Sequence, residues 1–268
     1  MKDTILFGDC RETLKQFDEK ARCCVTSPPY YGLRNYGSED KQIGLEQTPE
    51  EYIEEMVNVF RLVRDNLTDD GTLWLNIGDS YYNYRPGKGQ ALNKQSVSNT
   101  KQDLPNKCAR RGNKLEGLKE KDLIGIPWML AFALRADGWY LRQDIIWSKG
   151  NPMPESVRDR CTKSHEYIFL LSKSQNYYFD VDTIKEQSRR KRSVWNVNVK
   201  PNKQAHFATY PPELITPCIL AGSEENDIVL DPFMGSGTTA YVAKKLKRHW
   251  IGIEKESKYI KLIKNRIK

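Results

Sequence analysis

Seven short apolar runs, each closed by a turn or a helix signal, constrain this chain more than any other feature. They lie at 4–9 (TILFGD), 22–27, 72–78 (TLWLNIG), 139–147 (WYLRQDIIW), 166–172 (EYIFLLS), 227–232 (DIVLDP) and 249–254 (HWIGIE). Runs of this length, rich in branched and aromatic side chains, read as strands. Helical periodicity fills most of the gaps. The clearest helix runs from Thr48 to about Leu67. Thr48 suits the N-cap, Pro49 the first turn, and Glu51 completes an S/T-x-x-E capping box, while Ile53, Met56, Val57, Phe60 and Val63 recur at helical spacing. Further helices are expected at 126–137, 211–221, 236–247 and 256–267. Strands alternating with helices predict an α/β fold, a doubly wound, seven-stranded, mostly parallel sheet whose ligands sit at the carboxyl ends of the strands. No internal repeat occurs, and the 268 residues suit one domain over 1–268.

Several function classes fall away at once. No run of about 18 apolar residues is present, and the start MKDTILFGDC lacks the apolar stretch of a secretory signal, so a soluble, cytoplasmic protein with no membrane partner is expected. The six cysteines form no C-x-x-C pair, and Cys23 and Cys24 are adjacent inside a strand, which suits free thiols in a reducing compartment. Cys161 and His165 have a spacing that could hold a metal, but two ligands are not a site and no metal is expected.

The net charge of +8 is concentrated: residues 85–121 carry +7, 185–203 carry +6 and 244–268 carry +8, leaving −13 elsewhere. Basic segments on an acidic body point to a polyanion, foremost nucleic acid. For 244–268, with lysines at 255, 258, 261 and 264 on a helix, a solvated helix face explains the charge more simply. The stretch 85–121 has no aromatic residue and cannot bury enough to fold alone, so 84–121 is expected to be a mobile basic loop insertion and a candidate DNA-recognition element, with 185–203 a second basic segment.

Two strand ends carry chemistry. In T26-S-P-P-Y30, Pro28 cannot sit inside a paired central strand, so the strand stops near Ser27 and presents Ser27 and Tyr30 on rigid backbone. In D231-P-F-M-G-S-G-T-T239 the glycines allow a tight turn and close approach to a ligand, and Ser236, Thr238 and Thr239 open a helix whose first amides favour an anionic group. The stretch is neither a Walker loop nor G-x-G-x-x-G. Glu254 ends the next strand, 19 residues after Gly235, where a carboxylate can accept both hydroxyls of a ribose.

Together TSPPY at 26–30 and DPFMGSGTT at 231–239, with HFATYP at 206–211, IIWSK at 145–149 and HEYI at 165–168, resemble the S-adenosylmethionine-dependent DNA amino-methyltransferases over nearly the whole chain. Catalytic motif first and cofactor motif last resembles the family's β-type circular permutation of the class I methyltransferase fold. The resemblance implies that TILFGD supplies the strand missing after Glu254, placing Asp9 and Cys10 against the cofactor adenine. It also implies cofactor contacts from Thr26, His206, Phe207, Asp231, Phe233, Gly235, Ser236, Gly237, Thr238 and Glu254. The family's serine form of the catalytic motif is associated with cytosine N4 and its aspartate form with adenine N6, so cytosine N4 is favoured and adenine N6 is the alternative. Double-stranded DNA is the expected substrate; a homodimer and a companion restriction endonuclease are both compatible with the family.

The chemistry suits TSPPY independently. An exocyclic amine is a poor nucleophile because its lone pair is delocalised into the ring. Ser27 Oγ and the Pro28 carbonyl can accept its two N–H groups and aim the lone pair at a methyl donor, with Pro29 stiffening the turn. The base must leave the duplex to be reached, and Tyr30 can stack on it. Asp79, after the third strand, reads equally as a pocket residue or a solvated turn. Pro217-Cys218 could suggest the nucleophile of ring-carbon methylation, but it falls inside a helical pattern where a buried thiol is the simpler explanation. Family-variable segments 84–121, 150–164 and 185–203 are the candidate recognition elements, with Arg110, Arg111, Lys114, Arg189, Arg190 and Arg192 as phosphate contacts. Two further alternatives are a non-catalytic DNA-binding protein on this fold and an RNA amino-methyltransferase.

Overall fold

The computed structural model describes residues 2–32, 42–82, 115–200 and 210–267, the side chain of Lys258 excepted. Eight strands form one sheet: β1 (Thr4–Phe7), β2 (Ala21–Thr26), β3 (Leu67–Ile77), β4 (Tyr140–Ser148), β5 (His165–Ser172), β6 (Val194–Asn196), β7 (Ile228–Asp231) and β8 (His249–Glu254). Among the described residues six helices accompany them: α1 (Cys10–Thr13), extended by a 3-10 turn, α2 (Pro49–Asp65), α3 (Ile126–Ala136), α4 (Pro212–Gly222), α5 (Thr238–Lys245) and α6 (Ser257–Ile267).

The sheet order is β1-β8-β7-β2-β3-β5-β4-β6. β5 runs antiparallel to both its neighbours, and every other pairing is parallel. The expected strand from TILFGD takes its place at the edge: β1 pairs β8 in parallel, Thr4 opposite Ile251 and Phe7 opposite Glu254. Among the described residues the sheet has one strand more than the seven expected. β6 is only three residues long and buries Trp195 alone, too short a pattern to stand out from a basic segment.

Period-two alternation divides the core between the two faces of the sheet. Cys24, Leu73, Leu75, Leu230 and Ile251 pack with Met56, Phe60, Leu130 and Leu134 of α2 and α3. Cys23, Val25, Trp74, Val229 and Trp250 pack with Leu214, Cys218, Ala240 and Ile263 of α4, α5 and α6. α2 begins as its sequence dictates: Thr48 Oγ1 accepts from Glu51 N at 3.1 Å and Glu51 Oε2 accepts from Thr48 N at 3.3 Å, a cap worth about 1 kcal/mol. Chain order reverses between β7 and β2, so the sheet has its switch point there, the place at which sheets of this kind bind ligands beyond the carboxyl ends of the strands.

Candidate active site

β7 ends at Asp231, which is 1% exposed. Its carboxylate accepts hydrogen bonds from Thr26 Oγ1 at 2.6 Å, Thr239 Oγ1 at 2.6 Å, Phe233 N at 3.0 Å and Tyr210 Oη at 3.2 Å. Burial pushes the carboxyl above its ordinary range while the hydroxyl and amide donors pull it back. Asp231 therefore ties β2, β7, α5 and the 210 segment into one unit. Thr26, grouped with the cofactor contacts by sequence, is fully buried and spends its hydroxyl inside this unit.

The loop that follows turns on two left-handed glycines, Gly235 at φ 53° and Gly237 at φ 78°. Gly237 caps α5, and a Cβ there would approach Ile263 Cγ2 at 2.9 Å. Ser236 Oγ accepts from Arg266 Nη1 at 2.9 Å, and Phe233 is half-buried at the rim. Thr238 Oγ1 is buried with no hydrogen-bond partner among the described residues.

One strand over, Glu254 is 7% exposed. Its Oε2 accepts from Gly235 N at 2.8 Å and its Oε1 from Glu256 N at 2.7 Å, so the carboxylate braces the glycine loop and keeps a second lone pair on each oxygen. Burial pushes its carboxyl up to about 7 against the pull of those two amides. Gly8 N donates to the Glu254 carbonyl at 3.1 Å, which sets Asp9 beside it. Burial alone would raise the Asp9 carboxyl, but hydrogen bonds and charge from Arg11, with Lys255 at 3.3 Å, outweigh it and hold it at about 2. Cys10 faces the core instead, 5% exposed, its thiol pushed up to about 12 by burial.

β2 stops at Thr26, as the prolines require. The turn is then held from three sides. Pro29 O accepts from Tyr52 Oη at 2.9 Å, and Tyr31 is buried with its hydroxyl on Gln47 O at 3.2 Å. Ser27 Oγ donates to Tyr30 Oη at 3.3 Å, and Tyr30 Oη donates to Glu166 Oε2 at 2.7 Å, with Asn76 Oδ1 at 3.2 Å. Asn76 Nδ2 donates to Glu166 Oε2 at 3.2 Å and to Tyr167 O at 3.1 Å, and Lys149 Nζ ion-pairs with Glu166 Oε1. Burial, and next the Glu166 charge, push the Tyr30 phenol well above its ordinary range, so it stays protonated. The ring lies against Gly78, where a Cβ would come within 2.8 Å of Tyr30 Cε2. Among the described residues nothing hydrogen-bonds the Pro28 carbonyl.

Asn76, Lys149, Glu166 and Tyr210 were not assigned roles by sequence reasoning. Lys149 and Glu166 fall inside IIWSK and HEYI, but only the strand register, with Trp147 opposite Glu166 and Asn76 opposite Ile168, brings them to Tyr30. Asp79, read from the sequence equally as a pocket residue or a solvated turn, is half-buried, and its carboxylate accepts from Gly125 N, Ile126 N and Ser80 N at the start of α3. Cys218 is fully buried in α4, its thiol driven far upward by burial. Among the described residues no three His, Cys, Asp or Glu side chains group into a metal site, and no helix is long and apolar enough to cross a membrane.

His206, Phe207, Arg110, Arg111 and Lys114 lie outside the described residues, as does most of 84–121. The two flanks of that stretch meet in a bridge between Tyr81 and Leu123, and Tyr82 N donates to Asp122 O at 2.8 Å. The 150–164 segment docks on the same place: Arg160 sits 3.8 Å from the Tyr81 ring centroid and Asp159 pairs with Lys121 at 2.7 Å. Arg189, Arg190 and Arg192 are exposed, on a tight turn and its exit into edge strand β6, four strands from β2.

A family of DNA methylases, the N6/N4 methyltransferases, matches residues 21–265. The Type II methyltransferase M.Cfr9I of Citrobacter freundii is 48% identical over 270 aligned positions, covering 98% of this chain and 87% of that protein. The Type II methyltransferase M.SmaI of Serratia marcescens is 49% identical over 271, covering 98% and 90%. In fold the chain is similar to the PvuII DNA methyltransferase, described as cytosine-N4-specific, with a TM-score of 0.74 at 19% identity over 100% of this chain and 87% of that one. It is also similar to the M1.HpyAVI–SAM complex, with a TM-score of 0.61 at 21% identity over 98% of each chain. The paired strand-end motifs and the circularly permuted sheet are thus those of a known group: the chain belongs to the N6/N4 DNA methylases, the amino-methyltransferases of DNA.

Proposed function

We propose that this DNA methyltransferase uses S-adenosylmethionine to methylate the exocyclic N4 amine of a cytosine flipped out of duplex DNA. The observation that carries the reading is the Ser27 hydroxyl. It sits at the carboxyl end of β2, gives its proton to Tyr30 at 3.3 Å, and so faces a ligand as an acceptor beside the Pro28 carbonyl. Two acceptors side by side match the two N–H groups of an amine. Serine at this position, and the cytosine-N4 specificity stated for the PvuII enzyme, favour cytosine over adenine.

The residues present fit the cofactor. A buried carboxylate with free lone pairs at Glu254 suits ribose hydroxyls, and the unpartnered Thr238 hydroxyl and first amides of α5 suit a carboxylate. Gly235, Gly237 and Phe233 line the approach, Asp9 stands on the adenine side, and the match of HFATYP at 206–211 to the family's motif assigns His206 and Phe207 to the same ligand. When bound, S-adenosylmethionine supplies a methyl group on a positively charged sulfur. Ser27 and Pro28 hold the amine, Pro29 keeps their spacing, and Tyr30 presents its ring to the flipped base, a stack worth about 1–3 kcal/mol.

DNA is held by charge. Arg110, Arg111 and Lys114 contact phosphates, and the 150–164 segment packs on the described flanks of their stretch, Arg160 over Tyr81 and Asp159 on Lys121. Arg189, Arg190 and Arg192 extend the contact along the sheet edge. Nucleoside mass spectrometry and methylation-sensitive sequencing of a host genome expressing the protein test the reading. N4-methylcytosine at one sequence is expected. N6-methyladenine would move the target to adenine, and no modified base together with no calorimetric binding of S-adenosylmethionine would leave a DNA-binding module.

A further inference from the structure

We propose that Tyr30, Glu166 and Lys149 form a hydrogen-bonded path that sets Ser27 as an acceptor and carries the surplus proton of the methylated amine out of the site, an inference that rests on Ser27 meeting that amine. Glu166 and Lys149 act through other groups and are positioning residues. The direction of the path follows from counting protons. A phenol has one proton to give, and the 2.7 Å contact to the Glu166 carboxylate takes it in preference to the 3.2 Å contact to the Asn76 amide oxygen, since a charged acceptor makes the stronger bond. The Tyr30 oxygen is thereby an acceptor for the Ser27 proton at 3.3 Å. With its only proton committed inward, Ser27 presents lone pairs outward. Every donor in the sequence amine, Ser27, Tyr30, Glu166 points the same way.

The far end is built to receive. Lys149 Nζ holds Glu166 Oε1, and Asn76 Nδ2, 3.2 Å from Oε2, fixes the carboxylate plane. Side-chain exposure of 18% for Lys149 and 17% for Glu166 leaves an outlet to water.

The proton balance closes. As the amine lone pair forms the N–C bond, the S–C bond breaks and its electron pair stays on sulfur, so the nitrogen carries one proton too many. One N–H proton moves to Ser27 Oγ, the Ser27 proton to Tyr30 Oη, and the Tyr30 proton to Glu166 Oε2. Serine and tyrosine end as they began, and Glu166 holds the proton until solvent takes it.

Two measurements test this. In the free protein, proton NMR should show a hydrogen-bonded hydroxyl resonance downfield of the amides that is absent in Tyr30→Phe and displaced in Glu166→Gln; a spectrum unchanged by Glu166→Gln overturns the Tyr30–Glu166 bond. In single turnover with duplex substrate, Tyr30→Phe and Glu166→Gln should each slow transfer by about 10²-fold, the lower range for a positioned proton acceptor. Affinities for S-adenosylmethionine and DNA should stay within about twofold of wild type. The double variant should be no slower than the slower single, because both cut one path. Penalties that multiply, or single variants at the wild-type rate, overturn the path. If Glu166→Gln does not fold, Lys149→Met should give the displaced resonance and the slowed step, and wild-type behaviour there is equally fatal. Ser27→Ala separates the two levels: a slowed Ser27→Ala beside a wild-type Tyr30→Phe removes the path and keeps the amine site, whereas an unchanged Ser27→Ala removes both.

Discussion

Replacing Glu254 by glutamine should convert a pH-dependent cofactor site into a pH-independent one. In the free protein the carboxyl is raised from 4.5 to about 7, because burial outweighs the two amides that hold it. At about 1.4 kcal/mol per unit that is on the order of 3 kcal/mol of penalty for ionising Glu254 in the folded chain. Between 4.5 and about 7 the folded state binds the proton more tightly than the unfolded one, so this group's contribution to stability is full below 4.5 and is lost as pH rises through about 7. A ligand whose ribose donates two hydroxyls to the carboxylate favours the ionised form and returns part of the penalty. Affinity for S-adenosylmethionine should therefore strengthen between pH 6 and pH 8, by up to about tenfold per unit below the titration midpoint, with proton release on binding at pH 6. Glutamine offers one oxygen where two amides need acceptors, so Gly235 N or Glu256 N loses its partner. The loss should cost about 1–3 kcal/mol of affinity at pH 8 and remove the pH dependence. Calorimetry from pH 6 to pH 9, in two buffers of different ionisation enthalpy, reads both effects. A wild-type affinity flat with pH and no proton release, or a Glu254→Gln protein that keeps the wild-type profile, would refute the reasoning.

Three other outcomes follow from the same geometry. Ser27→Ala should lower the single-turnover methylation rate by about 10²-fold or more while leaving cofactor binding nearly intact, since it removes a group that orients the amine in the transition state; an unchanged rate excludes that role. Gly237→Ala forces a side chain into φ 78° and against Ile263, and should lower stability by about 1–3 kcal/mol in denaturant titration; a stability within error of wild type would mean the loop can relax. Replacing Arg110, Arg111 and Lys114 together with alanine should reduce the log–log salt slope of DNA binding by up to about 3, at roughly 0.9 per phosphate contact, with cofactor affinity unchanged, and an unaltered slope would shift recognition to 150–164 and 185–203.

Local signals placed the strands and helices because their causes are local. Proline ends β2 at Thr26, the Thr48–Glu51 pair starts α2, and alternation of Cys23, Cys24 and Val25 assigns each side chain to a face. Even the pairing of β1 with β8, far apart in sequence, was legible, because the family resemblance implied a strand missing after Glu254 and TILFGD could supply it. β6 escaped because three residues with one buried tryptophan carry too little pattern, and Asp79 because a carboxylate capping a helix 46 positions away looks like any turn residue.

The strand-end motifs were written into the chain as residue types at fixed spacing, since a rigid turn and a hydroxyl set beside a carbonyl depend on neighbours in sequence. The support beneath them was decided only by tertiary structure. Tyr30 meets Glu166 across 136 positions, and Thr26 meets Asp231 across 205. Those bonds exist because β5 runs antiparallel beside β3 and β7 lies beside β2. Strand order and register arise from burying two apolar faces at once, a condition on the whole chain that no short stretch can express.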